Sequence, residues 1–225
     1  MRFAGLQKTS LIDYPDRVAT VLFTSGCNLR CPYCHNGELV HNYTGPFIEE
    51  DEVLETLVER KQYVDSVVVT GGEPTIHAEL PVFLARLKEN GFNVKLDTNG
   101  FNPDTLRDCL LFVDYIAMDV KTSPEKYSEL GASSLEPLFE SIEVIKTSGV
   151  DYEFRCTAVP GFVETETINE IGELVKGAKR FIFQQFRPEK TLDPVYNDVK
   201  PHQDEYISKL GEIMDCFVDE VVLKI

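Results

Sequence analysis

The 225-residue sequence has no stretch that reads as a secretory signal or a membrane span. Residues 1–5 lead into mixed polar sequence rather than into a charged region and an apolar stretch, and no apolar run approaches the length that crosses a bilayer. These absences predict a cytoplasmic protein with no membrane partner. In a reducing cytosol, the six cysteines are expected in metal sites, in catalysis or in the core, rather than in disulfides.

Positive charge is also scarce. The chain has 22 Lys and Arg residues against 38 Asp and Glu residues, which gives a formal net charge of -16. A protein with this excess does not attract polyanions as a whole, so the composition argues against nucleic acid as a partner.

No repeat, low-complexity tract or linker rich in Gly, Pro or Ser divides the chain. With 43% hydrophobic residues, the composition is sufficient to build a core. Residues 1–225 are therefore predicted to form a single domain.

Apolar, β-rich runs alternate with helical stripes along the chain. Several runs are almost continuously hydrophobic, as in parallel strands that are covered on both faces. This alternation predicts an α/β fold made of right-handed βαβ units, either an open doubly wound sheet or a full or partial barrel. The predicted strands are residues 18–24, 67–70, 94–98, 115–120, 152–159 and 181–186, with a seventh at 221–225.

Half of the cysteines lie in one short loop after the first predicted strand. Cys27, Cys31 and Cys34 have the spacing C-x3-C-x2-C. Thiolates are the usual ligands of iron–sulfur clusters, and three of them leave one iron of a cubane open to a substrate or cofactor. The other cysteines have no partner at ligand spacing and are interpreted as buried, small apolar residues. They are Cys109, Cys156 and Cys216.

Three other chemistries fit parts of the same loop. Cys31 and Cys34 match a dithiol redox motif, and with His35 they match the C-x-x-C-H pattern of c-type haem attachment. Haem attachment normally requires export, and a dithiol protein needs neither Cys27 nor so many βα units. A structural zinc site made of the three cysteines and His35 stays open on the loop alone.

Polar segments follow the next predicted strands. In barrels and open α/β sheets, ligands bind at the carboxyl ends of parallel strands. Paired glycines permit a close approach to a ligand, and Glu73 can accept hydrogen bonds from an ammonium group. Beside an open iron, the carboxylates of Glu73, Asp97 and Asp119 and the lysine Lys121 predict a pocket for an amino acid sulfonium. The segments are Gly71-Gly72-Glu73-Pro74, Asp97-Thr98-Asn99-Gly100 and Asp119-Val120-Lys121.

On these residues the sequence resembles the radical S-adenosylmethionine (SAM) superfamily. The signature loop of that superfamily matches the three cysteines of the loop and Tyr33, the aromatic residue before the last of them. Asp13-Tyr14-Pro15, with residues 17–36, is similar to the activating proteins of anaerobic ribonucleoside-triphosphate reductase and of pyruvate formate-lyase. Asp16 departs from these relatives, which often have glycine there.

The resemblance implies a partial (β/α)6 barrel of the radical SAM type with a largely parallel sheet. It also implies a [4Fe–4S] cluster on Cys27, Cys31 and Cys34, whose unique iron is chelated by SAM. Reductive cleavage of SAM then yields a 5'-deoxyadenosyl radical that removes hydrogen from a substrate. The residues implied to bind SAM are Tyr33 near the adenine, Gly71, Gly72 and Glu73 near the methionine amine, and Asp97, Thr98, Asp119, Lys121 and Arg155 near the methionyl end.

In the activase group, the hydrogen comes from a glycine of a partner glycyl radical enzyme. The resemblance therefore implies a radical SAM oxidoreductase that activates anaerobic ribonucleoside-triphosphate reductase, with flavodoxin or ferredoxin as electron donor. Residues 36–66 contain no cysteine, as in compact activators without extra clusters. Two alternatives remain: radical modification of another peptide or a small molecule, and a non-catalytic zinc or iron–sulfur binding module.

Overall fold

The computed structural model describes residues 1–41 and 43–225 of the chain. Most of its strands belong to one eight-stranded sheet. In chain order the strands are β1 (Arg2–Phe3), β2 (Gly5–Tyr14), β3 (Arg17–Thr24), β4 (Ile48–Glu49), β5 (Ser66–Gly71), β6 (Asn93–Thr98), β7 (Tyr115–Asp119), β8 (Asp151–Ala158), β9 (Phe181–Gln185) and β10 (Val221–Lys224).

The large sheet has the spatial order β10-β9-β8-β7-β6-β5-β3-β2, and it curls into a half-barrel. All neighbours pair in parallel except β2, which runs antiparallel to β3. The short strands β1 and β4 form a separate antiparallel pair. The predicted α/β fold with a largely parallel, partly closed sheet is confirmed, and each of the seven predicted strands is present.

Helices connect the parallel strands and cover the convex face of the sheet. They are α1 (Gly37–Val40), α2 (Glu50–Arg60), α3 (Leu80–Glu89), α4 (Pro103–Cys109), α5 (Glu136–Thr147), α6 (Ile168–Leu174) and α7 (Asp204–Met214). In α2 the apolar side chains Val53, Leu54 and Leu57 are buried, whereas Val58 is 49% exposed. Among the described residues, no helix is long and apolar enough to cross a membrane.

The two faces of the sheet carry different side chains. Residues such as Val94, Leu96 and Phe154 point outward into the main core between sheet and helices. The residues that alternate with them face the concave side. Near the amino ends of the parallel strands, the concave side is filled by a small apolar group that includes Tyr14 and Tyr115, whose rings lie 6.0 Å apart. Nearer the carboxyl ends, the concave face carries buried charged and polar side chains.

Strand β2 is the main element that sequence periodicity missed. Two of its large apolar residues, Leu11 and Ile12, are 74% and 83% exposed, so it lacks the alternation of a half-buried strand. It turns into β3 at Pro15 and Asp16. Asp16 has a φ of 58°, a left-handed conformation that glycine adopts without strain and that aspartate tolerates. The turn therefore accommodates aspartate at a position where the resemblance predicted glycine.

The isolated cysteines do not all behave as predicted. Cys109 and Cys156 are buried, as expected for small apolar residues. The prediction is wrong for Cys216, which is exposed because it lies in the surface turn after the end of α7.

The end of β5 packs directly against the cysteine loop, defined here as residues 25–36. The Gly72 N–H donates to the Thr24 carbonyl at 2.9 Å, and the Glu73 N–H donates to the Gly26 carbonyl at 2.8 Å. A Cβ atom on Gly72 would lie only 1.9 Å from the Gly26 oxygen. The close approach that the paired glycines permit is therefore to the backbone of the cysteine loop, and it places this loop beside β5.

We expect Gly72→Ala to push the cysteine loop away from β5 and to lower the free energy of unfolding by about 1–3 kcal/mol, the usual cost of overpacking. Urea denaturation measures this change. Gly5→Ala is the matched control, because its Cβ would lie at an ordinary 3.7 Å from the Phe23 ring, and it should change stability by less than about 0.5 kcal/mol. Equal free energies of unfolding for the two variants would contradict the close contact between Gly72 and the Gly26 carbonyl.

Candidate active site at the carboxyl ends of the strands

A cavity of about 280 Å³ opens at the carboxyl ends of the parallel strands, between the cysteine loop and the concave face. It brings together all twelve residues singled out from the sequence. They are Cys27, Cys31, Tyr33, Cys34, Gly71, Gly72, Glu73, Asp97, Thr98, Asp119, Lys121 and Arg155. The chain therefore concentrates three thiols, three carboxylates and two cations around one space.

The cysteine loop is anchored from both sides by backbone hydrogen bonds. The Arg30 N–H donates to the Leu130 carbonyl at 2.7 Å, and the Leu192 N–H donates to the Cys34 carbonyl at 2.9 Å. Within the loop, the Arg30 guanidinium donates to the Leu29 carbonyl at 2.7 Å. These bonds fix the loop backbone, so the direction of each thiol is set by the fold.

The three thiols share a buried environment next to one cation. Burial raises the pKa of all three, that of Cys31 to about 11, while the Lys121 ammonium acts in the opposite direction. Binding of a metal cluster would release the thiol protons, and Lys121 would then compensate part of the thiolate charge.

A network of ion pairs forms the opposite wall of the cavity. Arg155 links two carboxylates: its Nε is 3.0 Å from Asp119 Oδ1, and its Nη1 is 3.2 Å from Asp97 Oδ2. Lys121 Nζ donates to Asp119 Oδ2 at 3.0 Å, and Lys95 Nζ donates to Asp97 Oδ1 at 2.5 Å. Both aspartates thus carry two cationic partners, which holds each side chain in one orientation.

The network keeps its members ionised. Burial opposes the charge of Asp119, but the cations Arg155 and Lys121 outweigh it and lower the pKa of this carboxyl to about 2. Burial likewise opposes charge on Asp97, and Arg155 and Lys95 lower its pKa. Burial also works against the Lys121 ammonium, yet Asp119 and the thiolate form of Cys31 raise its pKa. The cavity wall therefore presents fixed charges of both signs at neutral pH.

The Glu73 carboxylate is engaged by donors from two loops of the protein itself. Its carboxylate is buried and accepts four hydrogen bonds: Oε1 from the Thr75 N–H, the Thr75 hydroxyl and the Thr98 hydroxyl, and Oε2 from the Asn99 N–H, at 2.6–3.1 Å. Burial raises the pKa of Glu73, and these donors offset part of the rise. The side chain ties the loop after β5 to the loop after β6.

Two aromatic residues of the cysteine loop have distinct surroundings. The Tyr33 ring is buried against Phe162, with 5.2 Å between the ring centres, and Tyr33 is among the residues that line the cavity. His35 is exposed; its Nε2 is 2.6 Å from the Arg187 carbonyl and its ring stacks on Phe186. Among the described residues, no three His, Cys, Asp or Glu side chains converge on a single metal ion.

Sequence reasoning missed two charged residues of this region, Lys95 and Glu153, which are almost fully buried. A signal was present, because a polar residue at every second position of an apolar strand marks a face that does not join the core. Lys95 alternates with Val94 and Leu96 in this way.

A second cavity of about 390 Å³ opens at the side of the half-barrel, between β2 and β10. Ile12 and Ile225 lie at its mouth, and Lys95 and Glu153 line its interior. Arg155 and Gln184 line both cavities, so the lateral opening adjoins the space beside the cysteine loop.

The donor set fits an iron–sulfur cluster together with a zwitterionic cofactor. Three thiols on one anchored loop supply soft ligands, and the cavity that they line is shared with fixed carboxylates and cations. Carboxylates suit a ligand ammonium, and lysine and arginine suit a ligand carboxylate. The residues present are therefore those that such a pair of groups requires.

Known proteins resemble this chain in sequence and in fold. The family model described as "Radical SAM superfamily" matches residues 21–177 of this chain. A Methanocaldococcus jannaschii protein, provisionally named a glycyl-radical enzyme activating enzyme, is 32% identical over 98% of this chain and 95% of its own length. The pyruvate formate-lyase-activating enzyme of Clostridium pasteurianum is 26% identical over 85% of this chain and 83% of its own.

The crystal structure of Streptococcus suis SuiB bound to the precursor peptide SuiA has the same fold. It superposes with a TM-score of 0.66 at 16% identity, over 91% of this chain and 48% of that one. The family match covers well over half of the sequence, including the cysteine loop and the strands that carry the ion-pair network. The chain is therefore a member of the radical SAM superfamily, and its cofactors are a [4Fe–4S] cluster and SAM.

Proposed function

We propose that this chain activates a glycyl radical enzyme, anaerobic ribonucleoside-triphosphate reductase, by removing hydrogen from a glycine α-carbon of that partner. The observation that carries the proposal is the shared cavity: three loop thiols and the ion-pair network line one space of about 280 Å³. Relatives named as activating enzymes match nearly the whole chain, which supports a protein substrate.

In this proposal Cys27, Cys31 and Cys34 would hold the cluster, and the methionyl end of SAM would bind beside it in the same cavity. The bound cluster and SAM supply a reductive cleavage that yields a 5'-deoxyadenosyl radical. The Lys121 ammonium acts to lower the pKa of Cys31 and Cys34, and it would balance part of their thiolate charge. The hydrogen bonds that anchor the loop keep the three thiols on one segment beside the cavity.

The ion-pair network is proposed to bind the amino acid part of SAM. Asp97 and Asp119 attract the ammonium group, while Lys121 and Arg155 attract the carboxylate. The backbone of Gly71, Gly72 and Glu73 would lie beside the amine. The Glu73 carboxylate and the Thr98 hydroxyl, which bond to each other at 2.7 Å, would hold that backbone rather than contact SAM.

Tyr33 is proposed to contact the adenine region, because it lines the cavity and its ring is held by packing against Phe162. The partner glycine is proposed to enter through the lateral cavity, because Arg155 and Gln184 line both this cavity and the one beside the cysteine loop. An electron donor such as flavodoxin or ferredoxin in the cytoplasm would complete the reaction.

Replacing any one of Cys27, Cys31 and Cys34 with serine should abolish stable cluster assembly, because a hydroxyl is a poor ligand for iron at neutral pH. Iron and sulfide content after anaerobic reconstitution, and the formation of 5'-deoxyadenosine and methionine on reduction with SAM, measure the loss. Cys216→Ser is the control, since this thiol is exposed and outside the cavity. A loop variant with full cluster content would refute the ligand assignment.

Asp119→Asn should weaken SAM binding by about 10- to 100-fold, the value of one hydrogen bond to a charged group. Equilibrium dialysis of SAM against the reconstituted protein measures the change, and cluster content should stay unchanged. Asp104→Asn removes a carboxylate that is 93% exposed on α4 and should bind SAM as the wild type does. Equal affinity in both variants would remove Asp119 from the proposed SAM site.

Adding anaerobic ribonucleoside-triphosphate reductase to the reduced, SAM-loaded protein should produce a glycine-centred doublet in electron paramagnetic resonance. A partner whose acceptor glycine is changed to alanine is the control and should remain silent. SAM cleavage without any doublet, for this partner and for pyruvate formate-lyase, would favour modification of another peptide or a small molecule. No SAM cleavage would favour a binding module.

A further inference from the structure

Asn99 places a side-chain amide against the cysteine loop, although the sequence motif alone gave it no role. The residue follows β6 directly and is only 4% exposed. Its Nδ2 lies 3.6 Å from Cys27 Sγ and 2.7 Å from Asn28 Oδ1. Both contacts are within hydrogen-bond range, because a bond to sulfur is longer than one to oxygen.

The orientation of this amide is fixed by its other partners. The Phe101 N–H donates to Asn99 Oδ1 at 3.0 Å, so the oxygen faces its own loop and the NH₂ group faces the sulfur. The Asn99 backbone N–H donates to Glu73 Oε2 at 2.6 Å. Glu73 therefore holds the residue, and the residue directs an N–H at Cys27.

The three loop cysteines differ in the hydrogen-bond donors that lie near their sulfur atoms. Cys27 Sγ also accepts the Leu29 backbone N–H at 3.4 Å, and a backbone N–H at Asn36 faces Cys34. In the part of the chain that the structure describes, Asn99 is the side-chain donor within reach of a loop sulfur. A backbone donor comes with the loop itself, whereas a side-chain donor from another strand is a separate feature of the sequence.

We propose that Asn99 is a positioning residue that raises the reduction potential of the cluster through an N–H···S hydrogen bond to Cys27. This inference rests on the proposed function, in which Cys27 is a cluster ligand. One-electron reduction makes the cluster more negative, and a hydrogen bond to a ligand sulfur stabilises that added charge. The electron comes from the external donor, and no proton or bond to Asn99 changes during the step.

The test is a redox titration of the reconstituted protein with dithionite, followed by the electron paramagnetic resonance signal of the reduced cluster. Asn99→Ala removes the donor and should move the midpoint to a more negative potential. We expect a decrease of up to about tenfold in the ratio of reduced to oxidised cluster at the wild-type midpoint, which corresponds to 59 mV for one electron.

Two further variants separate this role from a structural one. Asn99→Asp keeps the size of the side chain and an oxygen for the Phe101 N–H, but it replaces the donor with a negative charge, so its midpoint should fall at least as far. Asn102→Ala is the control: its Nδ2 donates to the Thr75 carbonyl at 2.6 Å on the same rim and, within the described residues, to no cysteine sulfur. The midpoint of this variant should equal that of the wild type.

The possible failures are distinguishable. If Asn99→Ala and Asn99→Asp carry a full complement of iron and sulfide and keep the wild-type midpoint, the inference is overturned and the proposed function stands. If the wild-type protein forms no [4Fe–4S] cluster on reconstitution, the proposed function and the inference both fall.

Discussion

The backbone contact between the ends of β3 and β5 is the constraint on which the candidate active site depends. Thr24 and Gly71 are partners in the parallel ladder, and the next residues of both strands stay hydrogen-bonded after the ladder ends. Only residues without a Cβ allow this approach, since a Cβ on Gly72 would overlap the Gly26 carbonyl. The cysteine loop therefore begins at a defined point above the concave face.

Burial of charge is the second constraint on the half-barrel. An isolated charge is costly to bury, so charged residues inside a protein are paired and hydrogen-bonded. Here Arg155 joins Asp97 to Asp119, and two lysines complete the pairs. The result is a rigid wall of fixed charges in place of an apolar filling. Such a wall costs stability unless a ligand uses it, which is consistent with a binding role for this end of the barrel.

Glu73 shows how a motif residue can act through its neighbours. Four donors from two loops already occupy its carboxylate, so its side chain is part of the frame of the cavity. Through the Asn99 backbone it also reaches the amide that faces Cys27. Hydrogen bonds thus connect three segments into one unit: the glycine-rich segment, the loop after β6 and the cysteine loop.

Local patterns in the sequence determined the alternation of strands and helices, the three-cysteine loop, and the polar residues at the strand ends, because periodicity and ligand spacing are properties of neighbouring residues. They did not predict β2, whose exposed Leu11 and Ile12 hide its strand character, or the exposure of Cys216. Only the tertiary structure decided that Arg155 bridges two aspartates, that Glu73 is a tie between loops, and that Asn99 faces a thiol. Those pairings join residues 25 to 72 positions apart, and they exist only because the sheet curls and brings its strand ends together.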